Sequence, residues 1–207
     1  QRAGWRLDGF FVQPVTVDVA KFDESAEVDF AGGYYVNSCR KGTVWEVYGL
    51  YYNNEGKTWL GVTGEDERFT LGGAWRGPLP GTPFEADLEA AVQAGTFAGR
   101  DIGAWMATGE VAWKPCGACW KPRLALGADY ASGDADGAGG DAGTFHQLFP
   151  TGHLWFGWVD LVGRQNLVAG RATLSVQPTE KLTVRSDVHG FWRAETADAV
   201  YTAAGTE

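Results

Sequence analysis

Arg171-Ala172-Thr173-Leu174-Ser175-Val176-Gln177-Pro178-Thr179-Glu180-Lys181-Leu182-Thr183-Val184-Arg185-Ser186-Asp187-Val188-His189-Gly190-Phe191-Trp192-Arg193 alternates by two. Arg171, Thr173, Ser175 and Gln177 stand on one parity, against Ala172, Leu174 and Val176 on the other. After Pro178-Thr179-Glu180 the same parity resumes, with Lys181, Thr183, Arg185, Asp187, His189 and Arg193 against Leu182, Val184, Val188, Gly190 and Trp192. Only Ser186 puts a small polar residue on the apolar side. A period of two is the signature of a strand with two unlike faces. The second strand runs for about 13 residues, well beyond the usual five or six.

The same alternation recurs outward from this hairpin. Arg123 and Asp129 alternate with Leu124, Leu126, Ala128 and Tyr130, and Glu85, Asp87, Glu89 and Gln93 with Phe84, Ala86, Leu88, Ala90 and Val92. Further candidates are Gly4–Gln13, Asp29–Asn37, Thr43–Asn53, Arg68–Arg76 and Asp101–Lys114. In the last, Trp105 and Trp113 bracket Ala107, Gly109 and Val111 on one face; Trp45, Val47, Gly49 and Tyr51 repeat the arrangement. The count is about nine strands, most near the nine to eleven residues that cross a bilayer at a tilt. Links 14–28, 54–67 and 132–165 are long, and 38–42, 77–83, 115–121 and 178–180 are short. Apart from the short link 96–100 they alternate, as when turns lie on the periplasmic side and loops outside.

Two all-β architectures compete, a soluble sandwich and a transmembrane antiparallel barrel. Strand length, apolar faces filled with Ala and Gly, Trp and Tyr near strand ends, and charges in mid-strand on the opposite face favour the barrel. The composition fits: 30 Gly and 10 Trp with a single Met in 207 residues. Net charge −9 argues against a nucleic-acid partner, which calls for a basic face. No apolar run reaches the roughly 18 residues of a membrane helix.

On the polar parity lie Arg6, Arg123, Arg171, Arg185 and Arg193, with Lys181. Guanidinium groups pair carboxylates in bidentate fashion, so these residues are candidates for a lumen lining that attracts an anionic solute. The competing reading has them bracing the wall against Asp8, Asp87, Glu89, Asp129 and Asp187. Asp134, Asp136 and Asp141 in the long loop are spaced among glycines as in a calcium loop, without the EF-hand order; a solvated loop with no cofactor is the other reading. Cys116 and Cys119 form Cys-Gly-Ala-Cys between prolines, a disulfide candidate in an oxidising compartment, with metal and redox roles as alternatives and Cys39 left over. His146, His153 and His189 lie in no HExxH motif. No Gly-x-Ser-x-Gly elbow occurs, and Ser186 faces away from Asp187 and His189, so an enzyme is not expected.

Glu65-Asp66-Glu67-Arg68-Phe69-Thr70-Leu71-Gly72-Gly73, Gly99-Arg100-Asp101-Ile102 and Thr144-Phe145-His146-Gln147-Leu148-Phe149-Pro150-Thr151-Gly152-His153 resemble segments of the alginate-export family of Gram-negative outer-membrane β-barrels. So do Gly157-Trp158-Val159-Asp160-Leu161-Val162-Gly163-Arg164-Gln165-Asn166, Phe191-Trp192-Arg193-Ala194 and Asp198-Ala199-Val200-Tyr201. The resemblance is carried by residues 65 to 207, and residues 1 to 64 share it loosely. It implies an eighteen-stranded barrel in the outer membrane and passive export of an anionic uronic-acid polysaccharide. Residues 1–207 are then expected to be one barrel region, part of a longer chain that supplies the remaining strands. Expected partners are the lipid bilayer and an anionic polysaccharide or small anionic or sugar solute. A structural or docking barrel, a subunit of a larger outer-membrane assembly without open-pore transport, is the alternative.

Overall fold

A computed structural model describes residues 4–14, 17–18, 23–24, 28–38, 42–137, 139–150, 155–157 and 159–205. Cys39 and His153 lie outside the described residues. The described residues form strands and loops without a helix: β1 (Gly4–Val12), β2 (Val17–Asp18), β3 (Asp23–Glu24), β4 (Val28–Ser38), β5 (Val44–Trp59), β6 (Val62–Pro78), β7 (Phe84–Phe97), β8 (Arg100–Trp113), β9 (Arg123–Ala131), β10 (Leu167–Thr179) and β11 (Leu182–Arg193). Nine of them make one antiparallel sheet in the order β1-β4-β5-β6-β7-β8-β9-β10-β11. The sheet is thus a meander of the nine strands expected from alternation. With an odd number of antiparallel strands, its edges β1 and β11 run in the same direction.

Register makes the two faces unlike. One ladder row crosses all nine strands through Leu7, Tyr35, Val47, Gly73, Ala90, Ala107, Tyr130, Val168 and Trp192 and contains no charge. On the other face a row runs Arg76, Asp87, Glu110, Gly127, Arg171, His189. The first face leaves Phe69, Leu71, Leu88, Val92, Trp105, Val111, Leu126 and Val188 exposed. So large a contiguous apolar surface is a contact with lipid or protein, not water. Trp105 and Trp113, both exposed, bracket it on β8 as an aromatic girdle does.

The link 54–67 is not a loop. β5 and β6 continue to Trp59 and Val62 and join through Leu60-Gly61, with φ of 48° and 74°. Positive φ at both central positions is the type I′ turn that matches strand twist. Glu55-Gly56 and Gly64-Glu65-Asp66-Glu67 carry no apolar alternation because this tip stands clear of the apolar band. A register shift between Asn54 and Lys57 bends it, and Thr58 Oγ1 and Thr63 Oγ1 meet at 2.9 Å across it. Link 96–100 is equally tight: Ala98-Gly99, φ 49° and 80°, joins β7 to β8 at the same end. The 14–28 link contains the small β2–β3 pair.

The ring of Tyr48 on β5 lies across β6 directly over Gly72, where any Cβ would collide with it. From there its hydroxyl donates to Glu89 Oε1 on β7 at 2.7 Å.

Candidate functional site

The charged face is a connected ladder of ion pairs. Near the end of the sheet that carries the turns 79–83 and 114–122, Lys114 Nζ and Arg123 Nε reach the two oxygens of Glu85, at 2.5 and 2.9 Å. Arg123 continues to Glu110, whose other oxygen takes Arg171. Arg76 donates to Glu46 at 3.1 Å and stands 3.9 Å from Asp87. Arg171 is sealed: its side chain is 7% exposed, Nη1 donates to the Trp155 carbonyl at 3.1 Å, and the guanidinium lies against the Trp155 ring.

The other sequence-derived cations fall on the same face but are more open. Arg6 binds Asp8 at 2.6 Å and Arg185 grips Asp187 at 2.8 Å, with side chains 70% and 53% exposed. Arg193 donates to the carbonyls of Thr196 and Asp198, at 3.0 and 3.1 Å. Lys181 stands exposed in the β10–β11 turn, at the rim of the wall. The five arginines are therefore all braced, and Arg123 and Arg171 share Glu110, an acid outside the set anticipated from the sequence.

The described residues of 132–166 do not hang free; they dock on the charged face at the end that carries the 60–61 and 98–99 turns, opposite the turn 114–122. Gln93 on β7 holds their backbone: Nε2 donates to the His146 carbonyl and Oε1 accepts the His146 N–H, both at 2.8 Å. Arg68 is buried beside it, bound to Asp66 at 2.7 Å, to Gln93 Oε1 at 3.0 Å and to the Thr144 carbonyl at 3.3 Å. Phe145 enters the core, and the His146 ring meets Tyr52 and Trp59 edge-on at 5.0 and 5.2 Å. Burial, with the positive charges of Arg68 and Lys57 nearby, pushes the His146 imidazole well below its ordinary pKa. It is neutral at pH 7.

A second anchor follows β11. Buried Asp198 accepts from Asp134 N–H at 2.9 Å and Thr144 Oγ1 at 2.7 Å with one oxygen. The other takes Ala199 N–H and the Tyr201 hydroxyl, both at 2.7 Å. Asn166 donates to the carbonyls of Glu195 and Ala199, and Gln147 to that of Ala203. Hence the Thr144-Phe145-His146-Gln147 run acts residue by residue as a docking key. Its partners Gln93 and Asp198 lie 53 and 54 positions away in sequence, so only the folded chain reveals them.

Asp134 is taken by Arg100 at 2.7 Å and by the Asp136 N–H at 3.0 Å. Asp136 and Asp141 are exposed, and among the described residues no group of three acids, histidines or cysteines is placed to hold a metal. Cys116 and Cys119 are both exposed thiols on the turn 114–122.

Comparison with known proteins adds one match. A family model described as alginate export matches residues 1–207, the whole chain, including the 64 residues whose resemblance is loose. No curated protein and no solved structure matches the chain.

Proposed function

The chain belongs to the alginate export family, outer-membrane β-barrel proteins of transport, and on that premise we propose that its charged face lines a passage for an anionic polysaccharide or a small anionic or sugar solute. The observation that carries this reading is the contrast between the two faces: an uncharged row through Val47, Gly73, Ala90 and Ala107 on one, and Arg76, Asp87, Glu110 and Arg171 on the other, three positions along the strands. Arginine at mid-bilayer on a lipid face costs about 2–4 kcal/mol, so the charged row belongs to a wet interior. The end with the turns 79–83 and 114–122, Cys116 and Cys119 included, then faces the periplasm, and the described residues of 132–166 narrow the passage at the outer end.

Because each arginine is braced, the wall offers attraction without a deep trap. A conduit needs this: solute must enter favourably and still leave. Arg6, Arg76 and Arg185, with side chains 70%, 47% and 53% exposed, are the groups a passing carboxylate would meet.

The docked segment favours a second reading, a docking or structural barrel whose lumen stays closed. Planar-bilayer recording of the full-length protein, paired with liposome flux of a short oligouronate, separates the two. Stepwise conductance with oligouronate flux supports the passage. Silent bilayers from protein that is demonstrably inserted and folded would overturn it and leave the docking barrel.

A further inference from the structure

A cavity of about 390 Å³ lies between the charged face and the docked segment, within the size range of preformed small-ligand sites. Its sheet wall carries two carboxylates in one ladder row, Glu46 on β5 and Glu89 on β7, with Ala74 of β6 between them. Two strand spacings put their backbones about 10 Å apart. Tyr48 presents its hydroxyl between them, already donated to Glu89.

The opposite wall is aromatic, built from Phe149, Trp155 and Phe156 of the docked segment. Arg164 also lines the cavity, but its Nη2 is bound to Asp129 at 2.8 Å and its guanidinium rests on Phe156 and Trp155, at 5.3 and 5.8 Å. Asp160 adds a third carboxylate to the lining. The lining thus holds three carboxylates, of which Glu46 is paired with Arg76, against the one guanidinium of Arg164, with aromatic residues opposite.

We infer that this cavity is a binding subsite for an uncharged sugar ring and that it discriminates against a uronate. A pyranose has apolar C–H faces that pack on aromatic surfaces and hydroxyl donors that need acceptors. Carboxylates are the strong acceptors for such donors. A uronate carboxylate placed in the same space would instead stand beside Glu89, which is bound to the neutral Tyr48 hydroxyl, a like-charge juxtaposition that is strongly disfavoured. The inference rests on the passage reading and narrows it to its sugar solute: sugar hydroxyls, not carboxylates, are what the outer cavity recognises.

The test compares β-1,4-mannotetraose with tetramannuronate, which differ at each ring only in hydroxymethyl against carboxylate. Each is titrated into the full-length protein in detergent, following tryptophan fluorescence and calorimetric heat. Mannotetraose is expected to bind at least about tenfold more tightly, a difference of about 1.4 kcal/mol. Glu89→Gln should narrow the gap by improving tetramannuronate binding, with heat-modifiable migration checking that the variant is folded. Equal or tighter binding of tetramannuronate, or binding of neither sugar, overturns the subsite. Loss of the passage reading gives a different pattern: mannotetraose binds as expected while the bilayers stay silent.

Discussion

Gln93 clamps the backbone of His146 from both sides, taking its N–H and giving to its carbonyl at 2.8 Å each, while the same amide holds Arg68 and Thr70 at 3.0 Å. A side chain used this way replaces a neighbouring strand, and it ties an otherwise irregular segment to the sheet.

Gln93→Leu should therefore release the segment and leave the sheet intact. Two buried backbone groups lose their partners, a cost of about 2–4 kcal/mol. Hydrogen exchange of the full-length protein should show faster exchange over 144–149 and unchanged protection in β7 and β8. Unaltered exchange over 144–149 would show that Gln93 is not the anchor.

Asp198→Ala removes the acceptor shared by Asp134 N–H, Thr144 Oγ1, Ala199 N–H and the Tyr201 hydroxyl. Hydrogen bonds to a charged group contribute about 1.5–3 kcal/mol each, with strong non-additivity. Limited proteolysis should cut the variant within 134–150 and again after residue 194, and Asp198→Asn should be cut more slowly. Equal resistance of Asp198→Ala and the parent protein would contradict the hub.

Docking should also depend on pH through His146, whose pKa in the docked state lies below the ordinary 6.5. Above pH 6.5 the imidazole is neutral whether docked or released, and docking is at full strength. As pH falls below 6.5 the released form takes a proton that the docked form resists, with Arg68 and Lys57 adding their repulsion. Stability of the docked state then declines, by at most about 1.4 kcal/mol per pH unit, until the lowered pKa is reached. Exchange protection over 144–149 measured from pH 7.5 to 5 should fall in the parent protein and flatten in His146→Phe. The same slope in both would assign the pH dependence to other groups.

Alternation makes the wall legible in the sequence. The alternating run Arg123–Ala131 has the bounds of β9, and the Trp105–Trp113 face is the exposed one. The β5–β6 tip escaped because a hairpin above the apolar band has no reason to alternate. The ladder was half legible. Parity placed Arg123 and Arg171 on the charged face, but Glu110 bridges them across sequence separations of 13 and 61, which no local pattern encodes. The docking key stood out as a run of residues, whereas its chemistry belongs to Gln93, Arg68 and Asp198.

Glu110→Gln tests the ladder itself. It leaves Arg123 and buried Arg171 without their shared charge, at about 3 kcal/mol for a broken buried pair. The wall gains one net positive charge. Ion selectivity in bilayers should move towards anions, and the urea midpoint of the micellar protein should drop. A drop in stability without a selectivity change would place Glu110 off the conduction path.

The central claim, that the charged face lines a conducting passage, is tested most directly by the reversal potential of the full-length protein across a planar bilayer under a salt gradient. Arg76→Glu combined with Arg185→Glu exchanges two exposed positive charges of the wall for two negative ones. The account predicts an open channel whose reversal potential shifts towards that of cations in the double variant. An open channel with identical reversal potentials in both proteins would contradict it.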